Sequence, residues 1–259
     1  FYFIQNDPEL PSQFIQNTRE WGLAKDEYTD NGNFPRQVYV REGRRFEGLY
    51  FFTAHDALPV SIGSRPPIHQ QSITASHYAL DSHAVRKREE GRIHLDGFLS
   101  YPTAVYTVPF GVMVPKSVDN LLLPVPVSGS HIGFSTLRME PCWMAIGQAA
   151  GITASISIQD KVKVQNINIQ KLQNLLIDQN ATLIYYKDVN VSSEDFRMVQ
   201  YMGLKGFLPG WKACLNDPID KETFNAWSKL SGMDLDYTSE KTTRKEILYK
   251  IYKNLRELK

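Results

Sequence analysis

Cysteine is scarce in this sequence, which has only Cys142 and Cys214 among its 259 residues. The two lie far apart in apolar stretches that we interpret as helical, so they indicate buried thiols and argue against a disulfide or a cysteine metal site. The six histidines never recur as H-x-H or H-x-x-x-H. The sequence therefore offers no histidine pair with the spacing of a zinc site.

An excess of one charge and a long hydrophobic run are also missing. The chain has 29 basic and 28 acidic side chains and a net charge of +1, so nothing favours nucleic acid or an anionic membrane as a partner. The longest apolar stretch, about Ala145–Ile158, is too short and too polar to cross a bilayer. A hydrophobic share of 42% with 12% aromatic residues is typical of a globular protein.

The stretch Pro109–Ile158 organises the rest of the chain. Leu121–Leu123 lies in a short apolar run between turn formers, which predicts a buried strand. Pro124 and Pro126 have no N–H for a ladder and should end it. A helix is predicted from Pro141 to about Ile156, because proline suits a first helical turn. This helix is apolar nearly all round and should be buried.

The segment between this strand and helix, Val127–Met139, is predicted to be a loop rich in small and polar residues. It would lie at the carboxyl end of a strand and face a helix N-terminus, where α/β folds bind anionic ligands. In the following helix, Gly147 and Gly151 leave room for another backbone or a flat ligand.

The run VPKSVDNLLLPVPVSGSHIGFSTLRMEPCWMAIGQAAG resembles the C-terminal signature of a family of bacterial FAD-dependent oxidoreductases, some of them xanthan lyase-like. Many members have Ala-Gly-Arg where this sequence has Pro124-Val125-Pro126. The resemblance implies that this strand, loop and helix close an FAD-binding domain. It also implies FAD as the cofactor. The residues that it places at the flavin are Val125, Ser128, Arg138 and Met139.

Arg138 and His131 are the chemically specific residues of this loop. An arginine stabilises the negative charge that a reduced flavin carries near N1, so Arg138 is a candidate for that role. The alternative is that Arg138 only braces the loop through carbonyl or carboxylate contacts. His131 is a candidate catalytic residue, as a proton-transfer group or a partner of a substrate hydroxyl.

Two further stretches carry the same resemblance. Tyr78–His83 is similar to a segment that follows a strand of the substrate-side sheet. There, Asp81 and His83 form a candidate catalytic pair, because a neighbouring acid tunes a histidine near neutral pH; the alternative is that both cap a turn. Pro35–Glu42 is similar to the entry into the substrate domain, and Arg36 is either a substrate-binding residue or part of a core ion pair.

The remaining patterns predict an α+β protein: a mixed or antiparallel β region, the strand–loop–helix, and an all-α tail. Strands are predicted at Gln37–Val40, Ser72–Leu80 and Arg92–Phe98. We expect two domains, 1–159 and 160–259, with the tail separate from the β region. The segment DVNVSSEDFRMVQYMGLKGFLPG in the tail resembles a single S-layer homology unit, which docks on cell-wall polymers in other proteins.

The 16 glycines contain no G-x-G-x-x-G, the turn that holds the FAD pyrophosphate. We therefore expect a C-terminal fragment of an FAD-dependent oxidoreductase that moves a hydride between FAD and a small polar, possibly carbohydrate-related, substrate. Its partners would be that substrate and a missing N-terminal FAD-binding half. We expect this fragment alone to be inactive and to hold no FAD, and a periplasmic or envelope location. The alternative is a non-catalytic module that binds a glycan or the cell wall.

Overall fold

The computed structural model describes residues 2–37, 41–83, 90–91, 98–237 and 241–257. Packing divides the chain into two compact units, Phe1–Arg41 and Glu42–Lys259. The first unit contains helices α1 (Tyr2–Asn6) and α2 (Ser12–Arg19) and the 3-10 turn Thr29–Asn31. Neither α1 nor α2 has a buried residue. The strand predicted at Gln37–Val40 falls, apart from Gln37, outside the described residues.

Two small antiparallel sheets form the β part of the second unit. Strand β1 (Ser72–Ser76) pairs with β4 (Tyr106–Pro109), and β2 (Leu80–Ser82) pairs with β3 (Leu99–Tyr101). Strand β4 is buried along its whole length and continues into the buried 3-10 turn Phe110–Met113, as a segment covered on both faces requires. The strand predicted at Ser72–Leu80 is thus split between β1 and β2, while residues 92–97 of the other prediction lie outside the described chain.

Helices make up most of the regular structure of the second unit. They are α3 (Ala54–Ala57), α4 (His131–Leu137), α5 (Glu140–Asp160), α6 (Ile169–Asp178), α7 (Phe196–Leu204), α8 (Lys221–Ser231) and α9 (Arg244–Glu257), with a 3-10 turn at Val164–Asn166. With the two small sheets they give the predicted α+β class. Among the described residues, no helix is long and apolar enough to span a membrane.

The strand predicted at Leu121–Leu123 is wrong. These three residues form no strand, and the N–H of Leu123 donates a single backbone hydrogen bond to the Met113 carbonyl at 2.9 Å. Asn120 has a left-handed φ of 56° on one side, and Pro124 stops pairing on the other. The apolar run is therefore too short to enter a sheet, and Leu121 is 37% exposed.

The predicted loop Val127–Met139 contains a helix that the sequence interpretation missed. Ser130 caps α4, because its hydroxyl accepts the N–H of Gly133 at 2.9 Å. The next helix, α5, begins at Glu140, and the prediction of its start near Pro141 is confirmed.

The prediction that α5 is buried all round is wrong. Its buried residues recur at intervals of four and three, which is the spacing of a single buried stripe: Cys142, Ile146, Ala149, Thr153 and Ile156. The opposite side is open to solvent, with Met144 73% and Ile158 77% exposed. Of the two thiols, Cys142 is buried in α5 as predicted, whereas Cys214 is half-buried and lies in a turn with φ 51°.

The tail packs against the β region. Arg65 donates to the carbonyls of Gly210 and Tyr185 at 3.1 and 2.6 Å and stacks between the rings of Tyr186 and Trp211. Buried side chains from both parts form a single core. Residues on both sides of Gln159 thus belong to one compact unit, and the division into domains 1–159 and 160–259 stays a prediction.

Candidate functional site

Strand β2 and helix α4 lie against each other and bring the predicted proton-transfer residues together. Asp81 is the middle residue of β2, between the buried Leu80 and Ser82. The N–H of Asp81 donates to the Ser135 hydroxyl of α4 at 3.1 Å. Residues far apart in the sequence therefore face each other across a short strand and a short helix.

Arg138, directly after α4, holds the Asp81 carboxylate. Its Nη2 donates to Oδ2 of Asp81 at 2.5 Å and to the Asp81 carbonyl oxygen at 3.1 Å. The Arg138 side chain is 2% exposed and that of Asp81 is 21% exposed. A buried ion pair of this kind depends on both partners, because removing one leaves an uncompensated charge.

The two histidines of the predicted site lie next to this pair. Nε2 of His83 is 3.5 Å from Oδ1 of Asp81, and the His83 ring meets Phe98 edge-on. Nε2 of His131, at the start of α4, donates to the His83 carbonyl oxygen at 2.8 Å. Asp81, His83, His131 and Arg138 thus form one continuous cluster.

Glu42 completes this cluster and was not singled out from the sequence. Its Oε2 lies 2.9 Å from Nδ1 of His131, to one side of the direction that an ideal hydrogen bond would take, and its side chain is only 7% exposed. Neither carboxylate oxygen accepts a hydrogen bond from a described residue. No local sequence pattern identifies Glu42 as a site residue, because its contact with His131 joins two positions that are far apart in the sequence.

Arg45 adds a second cation near this end of the cluster. Its Nε donates to the Gly129 carbonyl at 3.1 Å, and its guanidinium lies 5.0 Å from the centre of the Phe134 ring. Burial lowers the pKa of Arg45, and the charge of Glu42 acts in the opposite direction. The neighbouring Arg44, by contrast, is exposed.

The other predicted site residues lie in different settings. Ser128 is fully buried, and its hydroxyl accepts the Gly48 N–H at 2.9 Å. Val125 is 46% exposed, and Met139 is half-buried at the start of α5. In the first unit, Arg36 pairs with Asp30, and both side chains are 65% exposed. Their roles with cofactor or substrate stay predictions.

A second polar cluster surrounds His69. Its Nε2 is 3.0 Å from Oδ1 of Asp56, the hydroxyl of Tyr50 donates to the same oxygen at 2.5 Å, and its Nδ1 is 2.9 Å from Oγ1 of Thr107. Burial raises the pKa of Asp56, but the hydrogen bonds from His69, Tyr50 and Thr53 outweigh it and lower the pKa to about 2. Since the polar side-chain atoms here are paired with one another, this cluster stabilises the fold around α3.

A family model described as FAD dependent oxidoreductase matches residues 2–176, which is 175 of the 259 residues. The chain belongs to this family. FAD dependence is a property of the family, and the resemblance seen in the sequence is confirmed at that level. No curated protein and no solved structure matches the chain. The match continues into α6, where Gln173 donates to the Gln70 and Ser72 carbonyls at 2.7 and 3.0 Å.

The described residues fit one end of FAD. Oε1 of Glu42 and Nε of Arg138 are buried polar atoms that no described residue partners, and a polar ring or substrate would satisfy them. The start of α5 suits an anion less well, because Pro141 has no N–H and those of Cys142 and Trp143 both donate to the Met139 carbonyl. The sequence has no glycine turn for the pyrophosphate. The fit is thus confined to the flavin and substrate end.

Proposed function

We propose that this chain supplies the substrate-side, proton-transferring part of an FAD-dependent oxidoreductase acting on a small polar substrate. The observation that carries the proposal is the cluster of Asp81, His83, His131 and Arg138 at the contact of β2 and α4. An imidazole beside a carboxylate that is itself held by a buried arginine is an arrangement suited to general acid–base catalysis.

Oxidation of a substrate alcohol to a carbonyl removes a hydride from carbon and a proton from oxygen. FAD, when bound, takes up the hydride. His83 is the better candidate for the proton, because its side chain is 35% exposed, against 20% for His131. Asp81 lies 3.5 Å from His83 and orients its ring. His131 has both ring nitrogens facing other groups, so its part is to hold the main chain of His83.

Arg138 holds the Asp81 carboxylate in place. Its contacts match the bracing role weighed for it, and a direct contact with the flavin would use the unpartnered Nε. Val125 and Met139 have the exposure that a contact with the cofactor ring requires. The pyrophosphate and adenine would be held by a separate N-terminal half. The resemblance to xanthan lyase-like members of the family supports a carbohydrate-related substrate, and the resemblance of the tail to an S-layer homology unit supports an envelope location.

An absorbance spectrum of a longer natural protein that contains this chain tests the proposal. We expect a flavin spectrum that bleaches without oxygen when a polyol or sugar substrate is added. A colourless protein that binds a glycan or cell-wall polymer would instead support a non-catalytic binding module and contradict the proposal.

A further inference from the structure

The contact between His131 and the His83 carbonyl shows where one hydrogen of the His131 ring lies. A carbonyl oxygen only accepts hydrogen bonds, so Nε2 of His131, 2.8 Å from the His83 carbonyl, must carry a hydrogen. This leaves Nδ1 of His131 to face Oε2 of Glu42 at 2.9 Å. An unprotonated Nδ1 would place its lone pair 2.9 Å from a carboxylate oxygen, which is unfavourable even when the two atoms are not ideally aligned. The charge of Glu42 therefore favours a hydrogen on Nδ1 as well.

The burial of Glu42 also favours a proton between its carboxylate and His131. The carboxylate is 7% exposed, and its contact with Nδ1 of His131 at 2.9 Å is not ideally aligned for a hydrogen bond. An uncompensated buried charge is costly. In the described part of the chain, the charged and titratable groups that act on the pair are Arg45, which the charge of Glu42 affects, and His83, whose carbonyl His131 contacts, with Asp81 and Arg138 beyond His83. Asp81 and Arg138 compensate each other. Arg45 compensates part of the charge of Glu42, since that charge acts to raise the pKa of Arg45, whereas His131 is the group in direct contact with the carboxylate at 2.9 Å.

We propose that Glu42 is a positioning residue: it shares a proton with Nδ1 of His131 and thereby keeps the Nε2 hydrogen of His131 on the His83 carbonyl. The shared proton fixes the tautomer and orientation of the His131 ring. Through the carbonyl contact, the ring fixes His83 next to Asp81. The functional consequence for catalysis rests on the proposed role of His83 in proton transfer, whereas the proton shared by Glu42 and His131 does not.

The shared proton can be measured on this chain without FAD. In a ¹⁵N-histidine-labelled sample at pH 7, with the His131 signals assigned from their absence in His131→Gln, we expect both ring nitrogens of His131 to show the shifts of protonated or proton-sharing nitrogens. Glu42→Gln should convert Nδ1 to the shift of an unprotonated nitrogen. A wild-type spectrum with an ordinary unprotonated Nδ1, or an unchanged His131 spectrum in folded Glu42→Gln, would overturn the proposal.

The positioning role is measured on a longer flavin-containing protein. We expect Glu42→Gln to lower the rate of flavin reduction about tenfold to a hundredfold and to alter its pH profile, with partial rescue by Glu42→Asp. Glu47→Gln is the matched control, since Glu47 pairs with Lys116 on the surface and is 73% exposed; it should change neither quantity. A folded Glu42→Gln protein with an unchanged rate and pH profile would refute the positioning role. If substituting His83 itself leaves the rate of flavin reduction unchanged, the proposed function fails. The NMR experiment still shows whether Glu42 and His131 share a proton.

Discussion

At the scale of single residues, the sequence identified much of the cluster but not its full membership. Asp81, His83, His131 and Arg138 were predictable because their residue types suit proton transfer and charge stabilisation. Glu42 was not predictable, because its significance comes from its burial against His131, which is far away in the sequence. Tertiary contacts of this length leave no local pattern in a single sequence.

Arg138→Lys separates bracing from a direct flavin role. Lysine lacks the guanidinium whose Nη2 reaches both the carboxylate and the carbonyl of Asp81 and whose Cζ lies 5.9 Å from the centre of the Tyr78 ring. We expect the free energy of unfolding in urea to fall by about 2 kcal/mol, the scale of a hydrogen bond to a charged group.

The control for this change is Arg197→Lys, at an exposed pair with Asp178. It should cost no more than about 0.5 kcal/mol. Unchanged stability of Arg138→Lys, together with slower flavin reduction in a longer protein, would assign Arg138 to the flavin instead.

Asp56→Asn tests the second cluster by its pH dependence. The pKa of Asp56 is lowered from 3.8 to about 2, so its ionised form stabilises the fold above pH 4 and that contribution is lost as the pH falls to about 2. The ionised carboxylate of Asp56 contributes about 2 kcal/mol. We expect the wild-type protein to exceed Asp56→Asn in stability by this scale at pH 6, and the difference to shrink toward pH 2.

Asp119→Asn is the matched control, because Asp119 is 60% exposed in its pair with Lys163. Denaturation of all three proteins between pH 2 and pH 6 gives the comparison. A difference for Asp56→Asn that stays constant across this range would show that its charge does not stabilise the fold.

At the scale of secondary-structure elements, the sequence indicates an element well where a local signal is strong. Pro141 marked the start of α5, and β-branched runs marked β1. The short apolar run at Leu121–Leu123 led to a wrong strand prediction, because a strand also needs a neighbouring strand to pair with, and apolar character alone does not show one. The cap at Ser130 was a usable signal for α4, and the intervals of four and three in α5 were a usable signal for its single buried face.

Gly133 tests how closely α4 packs against the segment before α3. A Cβ at Gly133 would collide with the Phe52 carbonyl oxygen and lie 2.8 Å from Cα of Thr53. Backbone atoms cannot move aside as a flexible side chain can, so Gly133→Ala should destabilise the protein by about 3 kcal/mol or more.

Gly147→Ala in α5 is the control, since nothing lies within 4 Å of its Cβ position. It should leave the melting temperature unchanged or raise it, as alanine favours a helix by up to about 1 kcal/mol over glycine. Equal melting temperatures for the two variants would contradict the close packing of α4.

At the scale of the whole molecule, composition and patterns gave the α+β class, and the family followed from a long run of matching residues. The packing of the tail on the β region could not be predicted, because it depends on single long-range contacts such as Arg65 with the Gly210 carbonyl. An arginine in a loop with no periodic pattern gives no sign of its distant partners.

The missing glycine turn leads to a prediction for the chain itself. Much of the affinity for FAD comes from the pyrophosphate site, for which the sequence has no G-x-G-x-x-G. We expect the purified chain to carry no FAD after gel filtration with added cofactor, as judged by absorbance. Retention of one FAD per chain would show that another part of this sequence holds the pyrophosphate.

The central claim is that the cluster at β2 and α4 transfers the substrate proton during flavin reduction. The most direct test is the anaerobic rate of flavin reduction in a longer protein that carries His83→Gln. His77→Gln is the control, because His77 is exposed and its Nε2 lies 3.2 Å from the Thr103 carbonyl, outside the cluster. We predict a loss of about 10²- to 10⁴-fold for His83→Gln and none for His77→Gln. Equal rates for His83→Gln and the wild type, with flavin bound in both, would contradict the account.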